Sequence, residues 1–330
     1  MKDLSTKFLG IPIKTPIIAA SCVLTSDYKM CADMEELGIG AIIVKSLFEE
    51  QITNEVKFIA ENSVQYPEME DYLHTYMKSF SIKTYMDKLE KIKFSTDIPI
   101  IASINCYSPG EWYDYAKQIS ELDIQGLEIN LFDIPLTLNM SGEQVQQDYF
   151  TIVKKIVNEV NLPISVKMSS HFNNIPLFVS KLAGCGVKSV SLFNKFYTPD
   201  IDVDKLKITS PEPFSHKDDY LPVLRWIAIV SSLVKNIEIS ATTGIFSPET
   251  AVKQILAGAN TVQLCSTLFK DGLKIIPSYM KYLETFMDKH GFDSINQFKG
   301  KLNYSNVKNP IQFERVQFMK TFNPAFPGWE

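Results

Sequence analysis

The chain of 330 residues has few of the features that mark a secreted, metal-binding or nucleic-acid-binding protein. Its five cysteines are odd in number and form no Cys-x-x-Cys pair, which favours reduced thiols in a cytoplasmic protein. Its four histidines are scattered, and no spacing among them is typical of a metal site. A net charge of −5 argues against nucleic acid or an acidic membrane as the main partner.

Long apolar segments and linkers are also missing. The start, Met1-Lys2-Asp3-Leu4-Ser5, has no apolar signal core, and no run approaches the length of a membrane span. No Gly/Ser-rich or low-complexity stretch marks a domain boundary. We therefore expect a cytoplasmic protein with one main domain.

The chain does contain eight short apolar runs, each of which ends on a small or polar residue. Rich in Ile and Val and mostly entered through Pro or Gly, they are typical of parallel strands covered on both faces. The runs cover residues 16–20, 41–44, 99–104, 126–129, 163–166, 189–193, 237–241 and 261–264. Helical patterns lie between them, such as 112–122, 147–160 and 248–257. This order predicts an α/β fold of the (β/α)8 TIM barrel type, with its chemistry at the carboxyl ends of the strands.

The gaps between the predicted strands are uneven. The long ones follow strands two, four and six, so we expect extended βα loops there, on the catalytic side. We assign residues 1–302 to the barrel. Residues 303–330, with an aromatic and proline-rich stretch at 322–329, are expected to form an arm that packs on the barrel or on a neighbouring subunit.

The ends of the last two predicted strands indicate a phosphate site. Thr243 and Gly244 follow strand seven, and Cys265 and Ser266 follow strand eight. In barrels the loops after these strands hold phosphate with backbone amides. Gly244 allows a close backbone approach, and the hydroxyls of Thr243 and Ser266 add donors. Ordinary tight turns are the alternative.

Two lysines, Lys45 and Lys167, end strands two and five. An ammonium group in such an apolar context needs a ligand or a carboxylate to solvate it. One interpretation is a Schiff-base lysine, which requires a lowered pKa. Another is a permanent cation that faces an anion, such as a substrate carboxylate or a reduced flavin. A structural ion pair is the third.

Three asparagines, Asn105, Asn130 and Asn194, end strands three, four and six. An amide offers donors and an acceptor, which suits the imide edges of flavin and pyrimidine rings. One asparagine at a strand end is commonly a turn residue, but three around one mouth favour a binding site. No histidine–nucleophile arrangement supports a hydrolase triad.

These residues and their neighbours resemble the class 1 dihydroorotate dehydrogenases. The resemblance spans about residues 4 to 302 and includes most strand ends. The segments that carry it are residues 4–10 (LSTKFLG), 19–21 (AAS), 43–46 (IVKS), 127–131 (LEINL), 166–167 (VK), 242–245 (TTGI), 256–259 (LAGA), 262–263 (VQ), 290–292 (HGF) and 298–302 (FKGKL).

The resemblance implies an FMN enzyme of pyrimidine biosynthesis that oxidises (S)-dihydroorotate to orotate by hydride transfer to flavin N5. It also implies a homodimer. The cofactor-binding residues that it implies are Ala20, Ser21, Lys45, Ser46, Asn105, Asn130, Lys167, Thr243, Gly244, Cys265 and Ser266. The implied substrate-binding residues are Lys45, Asn62, Asn130 and Asn194. Lys45 would lie between flavin and substrate, and Lys167 would face the N1/O2 edge, where a fixed cation stabilises developing negative charge.

The loop after strand four departs from the family pattern. The family has Asn-Leu-Ser-Cys-Pro-Asn or similar, with Cys or Ser as the base, whereas this chain has Asn-Leu-Phe-Asp-Ile-Pro at 130–135. Asp133 therefore occupies the position of the catalytic base. A carboxylate can do that work if burial raises its pKa towards neutrality. In the alternative, Asp133 is a turn residue and the base is Ser141 or is lost.

Other functions remain open at this point. One is an FMN barrel that oxidises a different small cyclic or carboxylated substrate, which the altered loop favours. Another is a Schiff-base lyase of the aldolase kind, and a third is a flavin-binding protein without turnover. The electron acceptor is unidentified, since the chain contains neither an iron–sulfur cysteine cluster nor a dinucleotide fingerprint.

Overall fold

The computed structural model describes residues 2–49, 67–105, 109–132, 134, 136–195, 198–210 and 212–314. Asn62, Asp133 and the aromatic stretch 322–329 lie outside the described residues. The predictions made for them therefore stay predictions.

The centre of the fold is a closed barrel of eight parallel strands. An antiparallel hairpin precedes it, formed by β1 (Thr6–Phe8) and β2 (Ile11–Ile13). The barrel strands are β3 (Ile17–Ala19), β4 (Ile42–Ile43), β6 (Ile100–Asn105), β7 (Gly126–Leu131), β8 (Ile164–Met168), β9 (Ser189–Leu192), β12 (Glu238–Ala241) and β13 (Thr261–Leu264). Because β4 pairs with both β3 and β6, the sheet closes on itself. The predicted (β/α)8 barrel is confirmed.

Five of the strands, β7, β8, β9, β12 and β13, carry apolar side chains outwards and polar ones inwards, whereas the inward residues Ile18, Ile43 and Ile101 of β3, β4 and β6 pack in a second apolar cluster with the hairpin β1–β2. On β7, Leu127, Ile129 and Leu131 lie in the core between sheet and helices, while Glu128 and Asn130 point into the barrel. This alternation explains why the apolar runs contain isolated polar residues. It also places each inward residue near a strand end beside the mouth of the barrel.

Helices surround the barrel. Their bounds are α1 Tyr28–Glu36, α2 Pro67–Ser95, α3 Pro109–Ile119, α4 Gly142–Glu159, α5 Ile175–Gly184, α6 Tyr220–Leu233, α7 Pro248–Ala257, α8 Ser266–Asp271 and α9 Ile276–His290. Short 3-10 turns cover Val23–Ser26, Lys217–Asp219, Leu273–Ile275, Ile295–Gln297 and Pro310–Phe313. α4 begins earlier than its apolar pattern because Ser141 caps it, accepting a hydrogen bond from the Gln144 N–H. The cap leaves the Ser141 side chain exposed.

The long gaps between strands contain further structure. The gap after β4 holds β5 (Leu47–Phe48), which pairs with β6, and the helix α2. The gap after β9 holds an antiparallel hairpin of β10 (Asp200–Asp202) and β11 (Lys207–Thr209). The gap after β7 runs to Ser141. All three lie on the carboxyl side of the strands that precede them.

The chain that follows α9 returns to the outside of the barrel. The backbone N–H of Leu302 donates to Leu256 O on α7, and that of Tyr304 donates to Ala228 O on α6. The boundary at 302/303 stays a prediction. No helix in the described ranges combines the length and the apolar character that a membrane crossing needs. The cytoplasmic location expected from the sequence also stays a prediction.

Candidate active site

A cavity of about 610 Å³ opens where the barrel strands end. Residues from the ends of all eight strands line it, and they include twelve of the predicted site residues. These are Ala20, Ser21, Lys45, Ser46, Asn105, Asn130, Lys167, Asn194, Thr243, Gly244, Cys265 and Ser266. The folded chain thus gathers side chains that lie up to about two hundred and fifty positions apart in the sequence.

Sequence reasoning missed part of the lining. Gln263 lies inside strand β13 rather than at its end, and only the alternation of inward and outward residues along the strand identifies it. Cys22, Phe214 and Ser215 come from loops, and Phe48 from the two-residue strand β5, where no periodic pattern marks a residue as part of the site.

Lys45 and Lys167 both face the cavity and are half-buried. The ion pairs between described residues involve other lysines, so no described carboxylate lies within 4 Å of either ammonium group. Among the described residues, the structural ion pair considered above is therefore not formed. An ammonium group of this kind is suited to bind an anionic or strongly polar group of a ligand.

The amides form a second set of polar groups in the cavity. Asn194 Nδ2 donates to Asn130 Oδ1 over 3.0 Å, which fixes both side chains. The buried oxygens Asn105 Oδ1 and Gln263 Oε1 accept no hydrogen bond from the described residues. Because a buried acceptor without a partner is unfavourable, these oxygens are suited to receive N–H groups of a ligand.

A chain of hydroxyl groups ties the ends of β3 and β4 to β6. The Ser46 N–H donates to Ser21 Oγ over 2.9 Å, and Ser46 Oγ lies 2.7 Å from Ser103 Oγ. The buried Tyr85 hydroxyl of α2 donates to Ser103 O over 2.9 Å and accepts from the Ser103 N–H over 2.8 Å. These contacts hold the segment that carries Lys45 in a fixed position.

The predicted phosphate loop after β12 has an unusual backbone. Thr243 and Gly244 both have positive φ, 74° and 76°. The Thr243 hydroxyl donates to Phe193 O over 2.8 Å, so its hydrogen is not free for a ligand. Thr243 therefore offers a ligand its backbone and not its hydroxyl donor. At Gly244 a Cβ atom would lie 2.3 Å from the Tyr220 nitrogen. Glycine is therefore needed at position 244 for two reasons: the positive φ of the turn, and the close approach of the start of α6, which leaves no room for a side chain.

Ser266 is the hydroxyl donor that remains at this end of the cavity. Its Oγ accepts from the Ser215 N–H over 3.1 Å and from the Ser215 hydroxyl over 3.0 Å. Its own hydrogen is not used in a bond to a described residue. Segment 213–215 thus joins the loops after β12 and β13 as a third wall, which the sequence did not predict.

Two thiols, Cys22 and Cys265, lie side by side in the cavity lining. A hydrogen bond from the Cys265 thiol lowers the pKa of Cys22 despite its burial. The same contact, together with burial, raises the pKa of Cys265. Cys22 is therefore the thiol of the pair that ionises more readily.

Comparison with known proteins agrees with this geometry. The sequence model of the family described as dihydroorotate dehydrogenase matches residues 3–287. Dihydroorotate dehydrogenase (fumarate) of Saccharomyces mikatae is 27% identical, over 91% of this chain and 98% of its own. The catalytic subunit of dihydroorotate dehydrogenase B (NAD(+)) of Methanothermobacter thermautotrophicus is 23% identical, over 90% and 97%. An NAD-dependent dihydropyrimidine dehydrogenase subunit of Escherichia coli is 22% identical, over 93% and 78%.

The fold and the site define an oxidoreductase barrel that acts on CH–CH donors. Within that class, the chain belongs to the dihydroorotate dehydrogenase family. The resemblance inferred from the strand ends is confirmed. Family membership does not support the Schiff-base lyase alternative.

The thiol pair leads to a test of the site. Because thiolates are the reactive form and the pKa of Cys22 is lowered, its alkylation by iodoacetamide should already be fast near neutral pH. The buried Cys31 is the matched control: burial raises its pKa to about 12, so it should react only in strong alkali or after unfolding. Peptide mass spectrometry over a pH series measures both rates. Equal rates at the two cysteines would contradict the lowered pKa of Cys22.

Proposed function

We propose that this protein binds FMN in the cavity and oxidises (S)-dihydroorotate to orotate in pyrimidine biosynthesis, with hydride passing to flavin N5. The observation that carries the proposal is the pair of lysines with no described carboxylate within 4 Å, set in one cavity of a family member among amide oxygens that accept no hydrogen bond from the described residues. The cavity volume of about 610 Å³ is within the usual range of small-molecule sites.

The residues of the cavity fit the parts of FMN. The oxygens of Asn105 and Gln263 are acceptors suited to the imide N–H of the ring. The backbone at Thr243–Gly244 and the Ser266 hydroxyl are suited to the phosphate. Lys167 supplies a positive charge for the N1/O2 edge. When bound, the flavin supplies the acceptor for the hydride, and the protein residues hold and orient it.

A second lysine, Lys88, lies near Lys45. Burial lowers the pKa of Lys88, on α2, and the charge of the neighbouring Lys45 lowers it further. Two neighbouring ammonium groups create a positive potential that favours a carboxylated substrate such as dihydroorotate over a neutral one. The Asn130–Asn194 pair lines the same cavity, and its amides are suited to bind the ring amide groups of such a substrate.

A second candidate is oxidation of a different small cyclic substrate. Phe132 lines the cavity at a position where the family pattern has serine, and Asp133 follows it in the position of the base. A large aromatic ring there changes the space that a substrate can occupy. One relative is named a dihydropyrimidine dehydrogenase subunit, so a neutral dihydropyrimidine is the compound to compare.

The cofactor is tested by its release. Heat-denatured protein should yield FMN by mass spectrometry, and absence of flavin or presence of FAD would contradict the proposal.

Lys167→Ala should lower flavin content or slow reduction by roughly 10²–10³, because charge that develops at N1/O2 loses its counter-ion. Lys253→Ala is the control, since Lys253 lies on α7 in a surface pair with Glu249.

The substrate and the base are tested together under anaerobic conditions. Dihydroorotate should bleach the flavin, and Asp133→Asn, which keeps the shape but removes basicity, should slow bleaching by about 10²–10⁴. Ser141→Ala tests the alternative base, and because Ser141 caps α4 and is not among the cavity-lining residues, we expect bleaching at the wild-type rate. An unchanged rate in Asp133→Asn removes that residue as the base.

Bleaching by dihydrouracil alone would favour the second candidate. Fumarate and NAD+, which appear in the names of relatives, are then added as candidate acceptors to look for reoxidation.

The homodimer is proposed on the exposed hairpin β10–β11. Ile201, Val203, Leu206 and Ile208 are each at least 66% exposed, an apolar surface that a second copy of the chain would cover. Light scattering at micromolar concentration should give twice the chain mass, and a Leu206→Asp, Ile208→Asp double variant should shift it towards the monomer. Leu302→Asp, at another exposed leucine, is the control. A monomeric wild-type protein would refute the proposal.

A further inference from the structure

Glu128 is a carboxylate buried inside the barrel, below the cavity. Its exposed fraction is 0%, and it points inwards from β7 two residues before Asn130. In the register of β7 and β8, Glu128 lies opposite Ser165 and Asn130 lies opposite Lys167. Glu128 therefore belongs to the layer of side chains directly beneath the one that contains Lys167.

Hydrogen bonds link Glu128 to the cavity lining. Ser191 Oγ donates to Glu128 Oε2 over 2.7 Å, and Gln263 Nε2 donates to Ser191 Oγ over 2.8 Å. Gln263 Nε2 also donates to Ser240 Oγ over 3.0 Å, which fixes the amide. Since an amide nitrogen only donates, Ser191 accepts from Gln263 and directs its own hydrogen to the carboxyl group. This direction of bonding favours the charged form of Glu128.

The charge of Lys167 acts on Glu128 from the layer above. Glu128 Oε1 is buried and accepts no hydrogen bond from the described residues. Burial raises the pKa of Glu128, and the positive charge of Lys167 acts against that rise. A buried charge without compensation is strongly unfavourable, so the charges of the two residues depend on each other.

We propose that Glu128 is a positioning residue whose carboxylate is the counter-charge of Lys167. By this role it limits the positive electrostatic potential that Lys167 exerts on the flavin. The inference rests on the proposed function, because it needs the flavin in the cavity. The carboxylate offsets part of the lysine charge from below. Removing it leaves Lys167 uncompensated, and negative charge on the reduced ring is then stabilised more strongly.

The test is the midpoint potential of the flavin in purified holoprotein, measured by equilibration with redox dyes. Glu128→Gln keeps the side-chain shape and an oxygen that accepts from Ser191, but it removes the charge. We expect the ratio of reduced to oxidised flavin at a fixed potential to rise about tenfold, which is about 30 mV for a two-electron couple. An unchanged or lowered potential would overturn the proposal.

A double-mutant cycle tests whether Glu128 acts through Lys167. Lys167→Met should lower the potential. In that background burial leaves Glu128 neutral, so adding Glu128→Gln should cause no further shift. An equal shift in both backgrounds would refute the pairing. Glu238→Gln is the control, because this partly buried carboxylate on β12 accepts from the Gly10 N–H at the opposite end of the barrel.

Ser191→Ala provides a second variant if Glu128→Gln does not fold. It removes the hydrogen bond to Oε2 without deleting the carboxyl group, which favours the neutral form and should raise the potential in the same direction. A wild-type potential in this variant would also count against the proposal. Purified wild-type protein without flavin would refute the proposed function itself. Bound flavin whose potential ignores Glu128 would refute only this inference.

Discussion

Closure of the sheet is the constraint on which the rest of the molecule depends. Strand β4 is only two residues long, yet its pairing with both β3 and β6 completes the ring. Without that ring the two lysines and three asparagines would belong to separate strand ends. With it, five polar side chains share one cavity, and the short hydroxyl chain from Ser21 to Tyr85 reinforces the join where the pairing is shortest.

Polar side chains continue from the cavity into the interior of the barrel below it. Inward positions on β7, β8, β9, β12 and β13 are occupied by polar side chains rather than by the branched apolar residues that usually fill such barrels. Their hydrogen bonds are directional, from Gln263 through Ser191 to Glu128. These bonds hold the side chains beneath the cavity in fixed orientations, and they connect the cavity lining with the centre of the barrel.

Much of this arrangement could be predicted from the sequence, for identifiable reasons. Buried parallel strands require apolar runs, and the residue after each run must lie at the mouth, so Lys45, Lys167 and the asparagines could be assigned. Glu128 and Gln263 could not, because inward residues within a strand look like interruptions of an apolar run. Ser215 was missed for another reason: its position depends on a long loop, which has no periodicity. The role of Gly244 was anticipated only in part, since its contact with the start of α6 joins residues 24 positions apart.

The amide oxygens of Asn105 and Gln263, which accept no hydrogen bond from the described residues, have a consequence for the stability of the protein in a cell. Each buried acceptor without a donor costs free energy in the ligand-free state, and a bound ligand that supplies the donor removes that cost. By mass action, a ligand that binds only the folded chain shifts the balance between folding and degradation. A ligand that fills the cavity would thus also raise protein abundance, since newly made chains would persist longer in a cell where that ligand is plentiful than in one that is starved of it.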